Sequence, residues 1–98
     1  MSLPVVFRPI ATTELEEAIN WYNRKKPGLG ADFRRLVEQT IERIAATPLR
    51  FRPVNPHTRR ALLRRFPYSI HFAVEPDTII VLAVFHTRRN PEDLRGRT

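Results

Sequence analysis

Between Ala61 and Arg89 the chain reads ALLRRFPYSIHFAVEPDTIIVLAVFHTRR, and no other stretch restricts the fold as much. Strand-forming residues dominate it, and Phe66-Pro67 and Pro76-Asp77 interrupt it twice. Such interruptions set turns rather than continue a strand. The spacing predicts three antiparallel strands in a meander. With Pro76-Asp77 as the loop, Val74 opposes Ile79, Phe72 opposes Val81, Ile70 opposes Ala83 and Tyr68 opposes Phe85. Opposed residues share a face, so this apolar face is the expected core. The other face would carry Ser69, His71, Ala73 and Glu75 beside Ile80, Leu82, Val84 and His86. Arg60, Leu62 and Arg64 would join it from the first strand. That second face is apolar in the middle and edged by arginine and histidine. Ile80, Leu82 and Val84 are too apolar to stand bare, which implies a partner. The plainer alternative is a solvated face with ordinary surface arginines. A slip of one residue would exchange the two faces.

The remaining segments supply helices and one more strand. Leu3 to Arg8 reads as a short strand whose length Pro9 limits. Thr13 and Glu16 stand at capping-box spacing, with Thr13 as the expected N-cap. Leu15, Ala18, Ile19 and Tyr22 then recur at the helical period, with Trp21 just off the stripe. Glu14, Glu16 and Glu17 lie in the first turn and Arg24, Lys25 and Lys26 in the last, as the helix dipole favours. Pro27-Gly28 ends this helix. A second begins near Leu29 to Asp32 and runs to about Ala46, with Phe33, Leu36, Val37, Thr40, Ile41, Ile44 and Ala45 facing inward. Glu38 and Glu42 are placed to pair with Arg35 and Arg43. Leu49 to Arg60 holds two prolines and no period, and reads as a loop crossing from the helices to the sheet. Asn90 as N-cap with Pro91 at N1 allows one helical turn in an otherwise mobile tail over residues 90–98. The expected fold is α+β, in the order β-α-α-β-β-β. A helical hairpin would pack on one face of a small, mainly antiparallel sheet, in a single domain spanning residues 1–98. The first strand should pair back beside the last meander strand or the first.

Charge narrows the partners. The 98-residue chain carries a net +7, with a net +1 over residues 1–47 and +6 over residues 48–98. Only Lys25 and Lys26 are lysines; the other basic residues are arginines, whose planar forks suit phosphate or carboxylate. A nucleic acid or an acidic protein segment is therefore the expected kind of partner. With no cysteine, disulfides and thiolate metal sites are excluded. His57, His71 and His86 and the scattered acids show no metal-ligand spacing, so neither metal nor cofactor is expected. No apolar run approaches the roughly 20 residues of a membrane span, and the N-terminus lacks a signal-peptide pattern. A cytoplasmic location is expected.

Several segments together resemble the ParE side of the RelE/ParE family of bacterial toxins from type II toxin–antitoxin modules. They are Val5-Val6-Phe7, Glu14 to Tyr22, Gly28-Leu29-Gly30-Ala31-Asp32-Phe33, Arg65-Phe66-Pro67-Tyr68 and Val84-Phe85-His86-Thr87-Arg88-Arg89-Asn90-Pro91. The resemblance covers nearly the whole chain and implies the same β-α-α-β-β-β fold. It also implies a cognate acidic antitoxin and one of two targets. ParE-like members trap DNA gyrase by binding it; RelE-like members cut mRNA on the ribosome.

Chemistry separates these two. Cleavage through the 2′-OH needs a base, an acid and cations for the phosphorane charge. Arginine supplies charge, but its pKa above about 12 bars it from proton transfer. The ribonuclease members use sheet lysines and a tyrosine or histidine near the C-terminus; here the sheet has no lysine, and the tail beyond Arg89 has no tyrosine, histidine or lysine. His86 is the remaining candidate base, with Arg60, Arg64 and Arg88 to hold phosphate. The competing role for His86 is structural, at a strand end, where ParE-like members also carry histidine. The sequence thus favours an inhibitor of gyrase that binds without catalysis, with a ribosome-dependent mRNA endonuclease as the alternative and a plain nucleic-acid-binding module as a third. The expected contact residues for target or antitoxin are Arg59, Arg60, Arg64, His71, Ile80, Leu82, Val84, His86, Arg88 and Arg89.

Overall fold

Pro9 opens a helix where it was expected only to close a strand. In the computed structural model, which describes residues 2–97, β1 spans Val5–Phe7 and α1 spans Pro9–Lys25. Proline suits the first helical position because its φ is already helical and its missing N–H has no partner there. Thr13 is therefore inside the helix, and its Oγ1 donates to the Pro9 carbonyl at 3.2 Å.

The second helix, α2, spans Leu29–Ala46, after Gly28 turns the chain at φ 89°. The hairpin closes on Gly30. Its N–H donates to Asn23 Oδ1 at 2.8 Å, and a Cβ there would stand 2.5 Å from the Ile19 carbonyl oxygen. The two stripes face the sheet largely as expected: Ala18, Ile19 and Tyr22 are buried on α1, and Phe33, Val37, Thr40, Ile44 and Ala45 on α2. The expected Glu38 and Glu42 pairs do not form among the described residues. Arg35 instead meets Asp32 at 2.9 Å, and Arg43 lies over the Phe51 ring.

The segment expected to cross as a loop is mostly strand. After a single 3-10 turn at Pro48–Arg50, β2 spans Arg52–Asn55 and β3 spans Thr58–Leu62. Asn55 Oδ1 accepts from the His57 N–H at 2.9 Å and shapes the turn between them. Pro53 is tolerated because β2 is a sheet edge. With β4 at Tyr68–Val74 and β5 at Ile79–His86, the sheet has five strands in the order β1-β5-β4-β3-β2. β1 runs parallel to β5, and the other pairs are antiparallel.

The expected register holds for half of the β4–β5 hairpin and then slips. Val74 pairs with Ile79 and Phe72 with Val81, but the next step pairs His71 with Ala83, Ile70 with Val84 and Tyr68 with His86. Leu82 is the extra residue of a β-bulge. The bulge exchanges faces from there on. Val84 joins the core beneath the helices, while Leu82, Ala83 and Phe85 pack together on the outer face. The expected placement of Ala83 and Phe85 in the helix-covered core, and of Val84 outside it, is thereby corrected. Nothing in the run Ile79–Phe85 signalled this, because an all-apolar strand has no alternation with which to fix a register.

An aromatic cluster ties hairpin and sheet together. Phe33 stacks on Tyr22 at 5.2 Å and meets Phe66 and Tyr68 edge-on at 5.2 and 5.0 Å. Offset and edge-to-face contacts of this kind suit the ring quadrupoles. Arg65, at φ 68°, turns the chain so that Phe66 points inward.

Residues 90–97, the segment expected to be a mobile tail, lie folded back against the sheet; Met1 and Thr98 lie outside the described residues. Asn90 does cap a turn, at Pro91–Leu94, through its side chain and the Glu92 N–H. Leu94 is buried against Leu82, Ala83 and Phe85. The outer face is thus covered at its apolar centre by the chain's own C-terminal segment.

Candidate functional site

The expected contact residues fall into three groups. The first is structural. Arg59 Nη1 donates to the Leu49 and Phe51 carbonyls at 3.3 and 2.7 Å, so it braces the turn that leads into β2. Leu82 and Val84 are buried, and Ile80 is half-buried beside the Leu82–Leu94 cluster. The bare apolar strip inferred from Ile80, Leu82 and Val84 therefore does not exist in this form. Arg89 is partly committed too, to Asp93 at 2.8 Å and Glu14 at 3.1 Å. Its hydrogen bond to Asp93, with help from Glu14, raises its pKa further.

The second group forms a pocket of about 290 Å³ at the end of the outer face. Arg60 and Leu62 of β3 stand beside Ser69 and His71 of β4, as their pairings Arg60–His71 and Leu62–Ser69 require. Phe85, His86 and Arg89 complete the wall. His71 is 5% exposed. Its Nε2 lies 2.9 Å from Ser69 Oγ, and its Nδ1 has no hydrogen-bond partner among the described residues. Burial, with Arg60 and Arg97 nearby, lowers its pKa to about 4, so the ring is neutral at pH 7.

The third group is exposed. Arg64 sits in the β3–β4 turn, and Arg88 in the turn after β5. His86 Nδ1 accepts the Arg88 N–H at 3.1 Å, which leaves the proton of a neutral ring on Nε2. The ring also meets Tyr68 edge-on, 5.4 Å between centroids. Burial raises the Tyr68 pKa. Tyr68 lies under α1 in a larger groove of about 560 Å³, with Trp21, Tyr22, Val84 and His86 among its lining. His86 alone of the histidines borders both recesses.

Sequence reasoning missed the group that organises all of this. Its position in α1 gives Glu14 only the role of a dipole-favoured residue. Its carboxylate reaches β5, where Oε1 accepts the Val84 N–H at 3.1 Å. Arg97 binds the same carboxylate with both terminal nitrogens, at 3.0 and 3.1 Å, and donates from Nη1 to the Leu82 carbonyl at 3.1 Å. The Arg89 and Arg97 guanidinium groups both lie over the Phe85 ring, at 4.5 and 4.9 Å. No spacing rule links residues 14 and 97, so no sequence signal was available.

Residues 5–91 match the family model for the ParE toxin of the type II toxin-antitoxin system, parDE. The chain belongs to the ParE toxin family. Toxin ParE2 of Mycobacterium tuberculosis is 30% identical, with 87% of this chain and 86% of that protein covered. Among solved structures, the chromosomal ParDE system from P. aeruginosa superposes with a TM-score of 0.76 at 16% identity, covering 87% of this chain and 96% of that one. The toxin-antitoxin complex RelBE2 from Mycobacterium tuberculosis follows with a TM-score of 0.62 at 23% identity, over 88% and 99%. These two likenesses establish the fold. This ParE-type toxin has the α+β architecture that its sequence implied, with one strand more.

Within a ParE-family chain, the surface just described offers several cations beside the His86 and Tyr68 rings. Arg60, Arg64 and Arg88 provide positive charge, and none of them makes an ion pair among the described residues. His71 is closed off by burial. Arginine cannot exchange protons near neutrality. No helix of the described residues is long and apolar enough to cross a membrane.

Proposed function

We propose that this ParE-type toxin inhibits DNA gyrase by binding it, and that a cognate antitoxin with an acidic segment neutralises it. The carrying observation is the pairing of available guanidinium groups with a buried imidazole, His71, and with one, His86, whose Nδ1 is already engaged. Arg60, Arg64 and Arg88 have no ionic partner among the described residues, His71 is buried and neutral, and His86 uses Nδ1 to hold its own turn. Such a surface favours a clamp over a catalyst, since cleavage needs a proton donor and acceptor in reach of the same phosphate. The membership in a parDE family and the toxin-antitoxin character of the structural neighbours support an antitoxin partner. The net +6 of the C-terminal half favours fast encounter with an acidic one. Supercoiling by purified gyrase should fall at micromolar toxin; unimpaired supercoiling at that level counts against the reading.

One observation favours the endonuclease as a second reading. His86 shares the smaller pocket with Arg60 and Arg89, so an imidazole and two cations stand around one space. Cleavage of ribosome-bound message that is lost in His86→Ala, with the fold retained, would replace the first reading by this one.

A further inference from the structure

The chain turns from β3 to β4 on an arginine in a conformation that most side chains avoid. The Phe66 N–H donates to the Arg64 carbonyl at 2.8 Å, two residues back, with Arg65 between them at φ 68°. This is the pattern of the tight, rare γ-turn, and a non-glycine residue held there stores strain. Glycine would relieve it, yet the position carries a long cation. Hydrogen bonds fix the turn on both sides. The Tyr68 N–H donates to the Phe66 carbonyl at 2.8 Å, and the Leu63 N–H to the Tyr68 carbonyl at 2.9 Å. The exit from β5 is fastened against the same turn. There the Thr87 N–H donates to the Pro67 carbonyl at 2.8 Å, and the Arg88 N–H to His86 Nδ1 at 3.1 Å. Arg64, Arg65 and Arg88 therefore stand exposed on two short turns tied together at one end of the sheet.

We infer that this end of the sheet is a contact surface for the phosphate backbone of duplex DNA, with Arg64, Arg65 and Arg88 as its three cations. The inference rests on the proposed action on gyrase, and adds that the toxin touches the duplex that enzyme holds as well as the enzyme. Charge supports it. Residues 43–74 hold seven arginines and no Asp or Glu, so no acid from β2, β3, β4 or their turns neutralises Arg64. Arg65 is steadied without being covered. Asp32 lies 3.8 Å away, the Phe66 ring centre lies 5.4 Å away, and 56% of the Arg65 side chain is exposed. The strained turn thus has a use, since it sends Phe66 into the core and leaves the guanidinium outside. Cations on fixed backbone suit the regular phosphates of a duplex, and such contacts position a protein without reading bases. A single strand would need rings on which its bases could stack. The rings of this turn, Phe66 and Tyr68, are instead committed to Phe33, edge-on at 5.2 and 5.0 Å.

The test titrates the full chain into a fluorescent duplex of about 20 base pairs, two helical turns, and follows anisotropy at rising salt. Three phosphate contacts predict a slope of log affinity on log salt of about −2.7, whatever the base sequence. Arg64→Gln, Arg65→Gln and Arg88→Gln should each reduce that slope by about 0.9 and weaken binding about eightfold near 0.1 M salt. Arg65→Gly removes the cation and relaxes the turn, so it should lose the same affinity while keeping the fold. Arg34→Gln and Arg50→Gln remove equal charge from α2 and from the turn before β2, and should leave the slope unchanged. Equal losses in these two variants would reveal attraction to net charge alone and overturn the surface. No binding at about 0.1 mM toxin would overturn it too, as would tighter binding of a single-stranded RNA or of a polyglutamate peptide. The parent reading fails separately. A triple variant of Arg64, Arg65 and Arg88 that loses the duplex but inhibits supercoiling undiminished keeps gyrase as target and removes the DNA contact. Duplex binding with the expected slope, in a chain that leaves gyrase unimpaired, keeps the surface and removes the gyrase reading.

Discussion

Glu14 and Arg97, 83 residues apart in sequence, meet fork to fork at 3.0 and 3.1 Å, with side chains 11% and 9% exposed. The contact joins the first turns of α1, the bulged part of β5 and the C-terminal segment. Truncating one member leaves the other charged and nearly buried. Glu14→Ala should therefore destabilise the fold by about 3 kcal/mol, at the lower end of what breaking a buried pair costs because Arg89 and solvent lie close. Glu14→Gln, which still accepts the Val84 N–H, should lose less. Urea denaturation at pH 7 measures both; a loss under about 1 kcal/mol for Glu14→Ala would show the contact to be idle.

His71 makes stability depend on pH. Its folded pKa of about 4 lies below the ordinary 6.5, because burial disfavours the charged ring and Arg60 and Arg97 repel it. The unfolded chain thus binds a proton that the native chain refuses. The contribution is fully present above pH 6.5 and declines as pH falls from there toward 4, by about 3 kcal/mol at most. His71→Gln should flatten this part of the profile. Denaturation midpoints between pH 7 and 4.5, compared for the two proteins, check the direction.

Gly30→Ala should disrupt the helical hairpin. The new Cβ would stand 2.5 Å from the Ile19 carbonyl and 2.6 Å from the Asn23 side chain. A backbone atom cannot step aside as a side chain can, so α1 and α2 must separate locally. The expected loss is about 2 kcal/mol, and the Asn23–Gly30 hydrogen bond should weaken with it. Thermal unfolding and hydrogen exchange at the Gly30 amide give the two readouts.

Arginine substitutions should divide by what each guanidinium touches. Arg59→Ala removes the brace on the Leu49 and Phe51 carbonyls and should lower stability by about 1 kcal/mol. Arg64→Ala and Arg88→Ala remove exposed, unpaired side chains and should stay within about 0.5 kcal/mol. Any weakening of gyrase inhibition by Arg64→Ala or Arg88→Ala then reports on binding alone. Inhibition unchanged in the double variant would move the contact surface elsewhere.

Phe33→Ala tests the aromatic cluster. Phe33 is fully buried between Tyr22, Phe66 and Tyr68. A cavity bounded by three rings cannot collapse easily, so the loss should be about 4 kcal/mol. Equilibrium unfolding in denaturant measures it.

What the sequence determined by itself is the part written in short-range pattern. The period of the α1 and α2 stripes, the Pro27-Gly28 stop and the two proline breaks around β4 named two helices, a hairpin and the fold class, because each depends only on residues a few positions apart. The same locality explains the errors. Pro9 suits a strand ending and a helix start equally, and the β2–β3 hairpin is hidden by prolines that an edge strand accepts. The register beyond Leu82 had no alternation to fix it, so the faces of Ala83, Val84 and Phe85 waited on the bulge. Only the tertiary structure decided what the charged residues do. A guanidinium becomes a brace, a buried counter-ion or a free contact according to which distant carbonyl or carboxylate lies within about 3 Å of it. Arg59, Arg97 and Arg64 look alike in sequence, and the folded chain gives each a different neighbour.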